Sequence, residues 1–298
     1  MKRIVEVKQL AKSYREFKAL DDITFTIEEN KIYGLLGRNG AGKTTLMKLL
    51  TAQEFPTKGE IKVFGETPEE NRRVLSQICF IKESQKYPDN FSVHDILKVS
   101  KSLFPNWDEE FAYSLVKDFN LPLIRKPKKL SRGMHSAVGV VIGLASRAPI
   151  TIFDEPYLGL DAVSRGIFYD KLMEDYSEYP RTVILSTHLI DEVSNLLEHI
   201  LVIDKGRLII NDEAENLRGI AYTVTGQAAR VEAFVKNKEV IHREPFGGLL
   251  SATVMQNKNS MDCIQAEASG LEISTVSLQQ LVVHMTKGKS THEGAIAQ

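Results

Sequence analysis

Lys31-Ile-Tyr-Gly-Leu-Leu-Gly37-Arg-Asn-Gly-Ala-Gly-Lys-Thr44 is the stretch that decides the reading of this chain. From Ile32 to Leu36 no charged or amide side chain interrupts the run, the pattern of a strand buried on both faces. Gly37 to Thr44 then matches G-x-x-x-x-G-K-[ST] in full, and a helix-forming stretch follows from about Lys43 to Leu50. The match therefore lies between strand and helix, where its mechanism requires it. Glycines 37, 40 and 42 let the backbone come close to a ligand, so that successive N–H groups and the helix N-terminus face phosphate oxygens. Lys43 would reach the β- and γ-phosphates, and the Thr44 hydroxyl would be a ligand of Mg²⁺. Asn39 and Thr45 complete the candidate nucleotide-binding set of this loop. The competing reading, a glycine-rich turn with a surface lysine, explains the residues but not their context.

A second element fits the first. Ile150-Thr-Ile-Phe-Asp154-Glu155 is a buried-strand pattern that delivers two carboxylates to its end. Asp154 there can hold Mg²⁺ through water, and Glu155 can orient and deprotonate an attacking water. Alone, an apolar strand ending in Asp-Glu is weak, because such acids often cap the next element. Beside a phosphate loop it becomes a candidate hydrolytic centre.

Outward from these motifs, Val5, Val7, Ile23, Phe25 and Ile27 alternate with polar residues as half-buried strands do, and residues 59–65 read as a hairpin strand. Val93, Ile96 and Leu97, then Phe111, Leu115 and Phe119, recur at helical spacing and mark a helical insertion. Strand–helix alternation resumes at Ile150, with further strands at Thr182–Ser186 and a hairpin around Lys205-Gly206. Such alternation argues for a largely parallel sheet covered on both faces. After Gly219 short strand-like pieces at 221–224, 239–243, 249–255 and 271–276 alternate with helix-like ones, a small α+β unit. The last residues are polar and read as a frayed tail.

Composition bounds the function. With 38 Lys+Arg against 39 Asp+Glu, the net charge of −1 lacks the basic excess of a bulk nucleic-acid binder. No apolar run approaches the ~20 residues that span a bilayer, and the N-terminus carries Glu6 and no apolar stretch of the secretory type. The two cysteines, Cys79 and Cys263, have no metal-site spacing.

The motifs in this order resemble the ATP-binding subunits of ATP-binding-cassette (ABC) transporters. Tyr14 in Lys12-Ser-Tyr-Arg stands where that family stacks an aromatic on adenine. Leu130-Ser-Arg-Gly-Met134 stands where it has its signature, usually Leu-Ser-Gly-Gly-Gln. Pro156 and Gly159-Leu-Asp161 match its D-loop, and Ser186-Thr-His188 its switch histidine. Within the family, the single cassette and short helical insert are most similar to bacterial exporters of the bacitracin-resistance and YtrB-like kind.

The resemblance implies an α/β fold: a P-loop NTPase cassette with a RecA-like core sheet, an antiparallel β subdomain and a small helical subdomain at about 90–135. It covers residues 3 to about 218 and implies an ATP-binding domain over residues 1–219; the residues' own pattern adds an accessory α+β domain at 220–288 and a disordered tail at 289–298. Catalytic roles would fall to Glu155, His188 and Lys43, and Mg²⁺ ligation to Thr44 and Asp154. Ser131, through its side chain, and Gly133, through its amide, would address the γ-phosphate bound by a second ATPase subunit, with Asp161 at the dimer contact. A coupling residue, normally glutamine, falls at Glu83, with Gln85 two residues on, and both would join the nucleotide-binding set.

The implied function is an ATP-hydrolysing subunit that powers an export-type transporter by ATP-driven dimerisation. Its partners would be a second ABC ATPase subunit, as homodimer or heterodimer, and a separate membrane-spanning subunit. It would lie peripherally on the cytoplasmic face of the cell membrane, without nucleic acid. Arg132 and Met134 depart from the signature, and His135-Ser136 lack the basic and amide residues that usually follow it. These departures sustain the alternative of a regulatory or non-transport ABC ATPase with little intrinsic turnover.

Overall fold

The computed structural model describes residues 2–82, 85–256 and 260–287, which divide into two compact units. The first holds residues up to His188 together with Leu196–Asn211. Strands β1 (Arg3–Tyr14) and β2 (Phe17–Glu28) pair as an antiparallel hairpin. β3 (Ile32–Leu36) is buried at every residue and runs into the phosphate loop and the helix Lys43–Leu50. β4 (Lys58–Val63) returns antiparallel to β1 and completes a three-stranded sheet of order β2-β1-β4.

β5 (Ile78–Ile81), β6 (Ile150–Asp154), β7 (Thr182–Ser186), β8 (His199–Asp204) and β9 (Arg207–Glu213) join β3 in a six-stranded sheet, order β5-β6-β7-β3-β8-β9. The pairs from β5 to β8 are parallel. β9 follows β8 through Lys205 and Gly206, both at positive φ, as a two-residue hairpin turn matching strand twist requires. One apolar cluster includes Val5, Val7, Ile23, Phe25 and Ile27 of the small sheet and Leu35, Ile152, Ile184 and Leu201 of the large one. The two sheets therefore share a core.

Between β5 and β6 the chain forms the helices Val93–Leu103, Glu109–Asp118 and Arg132–Ala145. Val93, Ile96, Leu97 and Leu115, picked out by helical periodicity, are buried. Ser92 starts the first of these helices with a capping box to Asp95, and Asp108 caps the second. The helical region thus continues past residue 135, because the buried run Ala137–Ala145 belongs to the third helix.

The second unit comprises Leu189–Asn195 and the residues from Asp212 onward, so the division falls earlier than Gly219 and includes a remote turn of helix, Ile190–Val193. Strands β10 (Ala221–Gln227), β11 (Val240–Phe246), β12 (Leu249–Met255) and β13 (Glu272–Thr275) form an antiparallel sheet of order β11-β12-β10-β13. The helix Ala228–Val235 follows the first strand and Ser260–Ala268 the third. This β-α-β-β-α-β order is the ferredoxin-like arrangement, and Tyr222, Val224, Val231, Val254 and Leu271 build its own core. The final helix, Leu278–Lys287, packs against Ile190–Val193. Residues 288–298, which include the sequence-predicted tail, lie outside the described residues.

Candidate active site

The site stands at the carboxyl ends of the parallel strands, where open α/β sheets bind ligands. Leu35 of β3 and Asp154 of β6 both sit opposite Ser186 of β7. That register brings three segments to one edge: the loop after β3, the pair Asp154-Glu155, and Thr187-His188.

They surround a cleft of about 570 Å³ lined by Tyr14, Asn39, Gly40, Gly42, Lys43, Thr44, Thr45, Asp154, Glu155 and His188. Phe17 and Leu158, which the motifs did not single out, line it as well. Gly42 ends the loop at φ 114°, and a Cβ there would lie 2.7 Å from the Ala19 carbonyl oxygen, so the chain turns into the helix where only glycine fits.

Lys43 is nearly buried, and its Nζ donates to the carbonyl oxygens of Gly37 at 2.7 Å and Arg38 at 3.3 Å. Burial pulls its pKa below the ordinary lysine value, against the opposing attraction of Glu155 and Asp154. Thr44 Oγ1 donates to Asp154 Oδ2 at 2.9 Å, so the two sequence-predicted Mg²⁺ ligands adjoin. A hydroxyl and a carboxylate side by side are the hard oxygen donors that Mg²⁺ takes. Glu155 has a left-handed backbone, φ 50°, and its N–H donates to the Ser186 carbonyl at 3.2 Å. The neighbouring strand end thus holds this carboxylate at the cleft. His188 Nδ1 lies 2.9 Å from Glu155 Oε2.

Tyr14 is partly exposed beside the cleft, with Lys12 Nζ 4.9 Å from its ring centroid and its hydroxyl bonded to Glu54. Burial, then the hydrogen bond to Glu54, raises the Tyr14 pKa. Phe17 pairs with Tyr14 across the hairpin and is 62% exposed, a second aromatic surface at the same rim. Hairpin register supplies it, which is why the adenine motif alone did not reveal it.

The remaining predicted residues lie elsewhere. Ser131 caps the helix Arg132–Ala145 by accepting from the Met134 N–H at 3.2 Å. A Cβ on Gly133 would lie 2.6 Å from the Gly159 carbonyl oxygen, and Ser136 Oγ donates to the Leu158 carbonyl at 2.5 Å. The altered signature helix thus grips the loop that follows Glu155. Asp161 caps the helix Ala162–Glu178 by accepting from the Ser164 N–H at 2.8 Å, and that bond holds its carboxyl below the ordinary range. Ser131, Gly133 and Asp161 are not among the residues lining the cleft of their own chain. Gln85 is not brought to the cleft; it lines a separate cavity of about 220 Å³ with Tyr87, Phe91 and Ile96. Glu83 lies outside the described residues.

Comparison with known proteins gives the family. Residues 20–158 match the ABC transporter family model. The chain is 32% identical over 219 residues to the lantibiotic transport ATP-binding protein SrtF of Streptococcus pyogenes, covering 72% of this chain and 94% of that protein. It is 26% identical over 197 residues to the ABC transporter ATP-binding protein YtrB of Bacillus subtilis, covering 66% and 68%. Among solved structures, an ATP-binding subunit of an ABC transporter superposes with a TM-score of 0.66 at 24% identity, over 72% of this chain and 91% of that one. With its phosphate loop, Asp-Glu strand and His188 gathered at one sheet edge, the chain belongs to the ABC transporter ATP-binding proteins, and it is an ATPase of that family.

Proposed function

We propose that this chain is the ATP-hydrolysing subunit of an export-type transporter, acting as a dimer of cassettes on the cytoplasmic face of the membrane beside a separate membrane-spanning subunit. The observation that carries the reading is the convergence of Lys43, Thr44, Asp154, Glu155 and His188 on one cleft. SrtF is named for lantibiotic transport, which supports a transport role for this chain. Among the described residues no helix is long and apolar enough to cross a membrane.

In each composite site one chain offers Lys43 to the β- and γ-phosphates and Glu155 to the attacking water, with His188 at the γ-phosphate. Tyr14 meets the adenine ring. The other chain offers Ser131, the Gly133 amide and Asp161. Thr44 and Asp154 would hold Mg²⁺, which when bound neutralises charge on the phosphate oxygens. Catalysis is positioning and electrostatic stabilisation of an in-line attack. Gln85 belongs to the coupling surface toward the membrane subunit rather than to the nucleotide.

Glu155→Gln tests the assignment. It keeps shape and hydrogen bonding but loses the base, so turnover should fall at least about a hundredfold while ATP binding persists and an ATP-bound dimer accumulates. Parental turnover in that variant would reject the mechanism. Arg132 and Met134 in the signature favour one second reading, a subunit that binds ATP with little turnover of its own. ATPase rates of the chain alone and with its membrane subunit separate the two.

A further inference from the structure

Tyr157 stands two residues after Glu155 and its side chain folds back into the site. It is 2% exposed, and no motif in the chain singles it out. Its phenol meets four groups. The hydroxyl donates to Glu155 Oε2. It accepts from the His188 backbone N–H at 2.9 Å and from Thr187 Oγ1 at 3.0 Å. His188 Nδ1 lies 3.0 Å away, and the imidazole meets the phenol ring edge-on at 5.5 Å between centroids.

A phenol has one donor and two acceptor positions. With the proton on Glu155, the two acceptor positions are filled by the His188 amide and Thr187. His188 Nδ1, within reach of the same Glu155 oxygen, is then placed to donate to that carboxylate, which turns Nε2 away from it. One side chain thereby ties the carboxylate to both the backbone and the ring of the histidine.

We infer that Tyr157 is a positioning residue for ATP hydrolysis, fixing the Glu155 carboxylate and the Nδ1–H tautomer of His188 as one unit. Burial, together with the bond to Glu155, raises the phenol pKa, so the donor is permanent in the neutral range. The cage asks for an aromatic hydroxyl at this position. An aliphatic side chain would leave the carboxylate without that donor, and phenylalanine would fill the space without ordering the pair. The inference rests on the proposed roles of Glu155 and His188.

The test is Tyr157→Phe in the full chain, with Glu155→Gln, His188→Ala and the double variant Tyr157→Phe/His188→Ala beside it. Loss of a charge-assisted hydrogen bond should lower kcat about tenfold, with KM for ATP changed less than about twofold. Nitrogen NMR of labelled histidine should show the His188 ring losing its Nδ1–H preference. In the His188→Ala background the same substitution should cost much less, because its effect passes through the pair. A purely packing residue would lower thermal stability without moving the tautomer. The inference is overturned if Tyr157→Phe keeps parental kcat, if its cost is undiminished without His188, or if the His188 tautomer is unchanged. Parental turnover in Glu155→Gln would instead overturn the underlying reading, so the two failures are distinct. If Tyr157→Phe does not fold, Tyr157→Trp and Tyr157→His carry the same comparison with a donor of altered reach, and parental kcat in either soluble variant counts against the inference.

Discussion

Thr44 Oγ1 donates to Asp154 Oδ2 at 2.9 Å, although 110 positions separate the two residues in the chain. One belongs to the helix after the phosphate loop and the other ends β6. Their contact shows that the parallel sheet assembles an oxygen pair suited to Mg²⁺.

Asp154→Asn keeps the size and an acceptor for Thr44 but removes the charge. Turnover of Mg-ATP should fall by about a hundredfold or more, while nucleotide affinity measured without Mg²⁺ should stay within a few-fold. Calorimetry with and without Mg²⁺ checks this. An unchanged Mg²⁺ dependence of affinity would remove Asp154 from the metal site.

Lys43→Met should abolish or severely weaken Mg-ATP binding without unfolding the chain. The folded-state pKa of Lys43 lies below its ordinary value because burial disfavours the charge. A lysine shifted this way costs stability while it is still charged, and the cost fades as pH rises toward its unfolded pKa. Replacing it with methionine removes that cost, so the melting temperature at neutral pH should hold or rise, and the gain should shrink at alkaline pH. A melting temperature several degrees lower would show that the lysine serves the fold rather than the ligand.

The phosphate loop and the Asp-Glu strand were legible in the sequence because their chemistry sits in contiguous residues whose flanks report strand and helix. The strands of the second unit were legible too, since Tyr222, Val224, Leu250, Ala252 and Val254 alternate inward. Their order in the sheet was not, because pairing β10 with both β12 and β13 is a long-range choice that no local period records. Tyr157 escaped for a related reason. Its value lies in reaching His188, and a tyrosine between Asp-Glu-Pro and Gly-Leu-Asp reads locally as a loop variant. Ile190 and Val193 follow His188 closely in the chain, and only tertiary packing assigns them to the second unit.

The signature helix offers a steric prediction. A Cβ on Gly133 would meet the backbone carbonyl of Gly159, which has no flexible atoms to yield. Gly133→Ala should therefore push the helix N-terminus off the loop and cost about 1–3 kcal/mol. It should also lower turnover more than ATP binding, because that loop follows Glu155. Equal stability of Gly133→Ala and the parent, by denaturant titration, would contradict the close packing.

The last prediction concerns how the second unit holds the segment after His188. Asp191 accepts from Ser277 Oγ at 3.1 Å and from the Gln279 N–H at 3.3 Å. Ser277 and Gln280 exchange side-chain and backbone bonds of 3.2 Å and 3.0 Å, a capping box at the start of Leu278–Lys287. Asp191 therefore acts as a second, remote cap for that helix, and its charge suits the helix N-terminus. Asp191→Ala should destabilise the second unit by about 1 kcal/mol. Hydrogen exchange should show the loss in the final helix and in Ile190–Val193 together. Ser277→Ala should act in the same direction, and the double variant should cost less than the sum. Ile190 and Val193 are buried in the second unit. Truncation after Gly219 removes the helix that packs against them. The truncated chain should lose soluble yield, and turnover in its soluble fraction should fall more than ATP affinity, because the freed segment adjoins His188 in the chain. Full turnover after truncation would show that the second unit serves association alone.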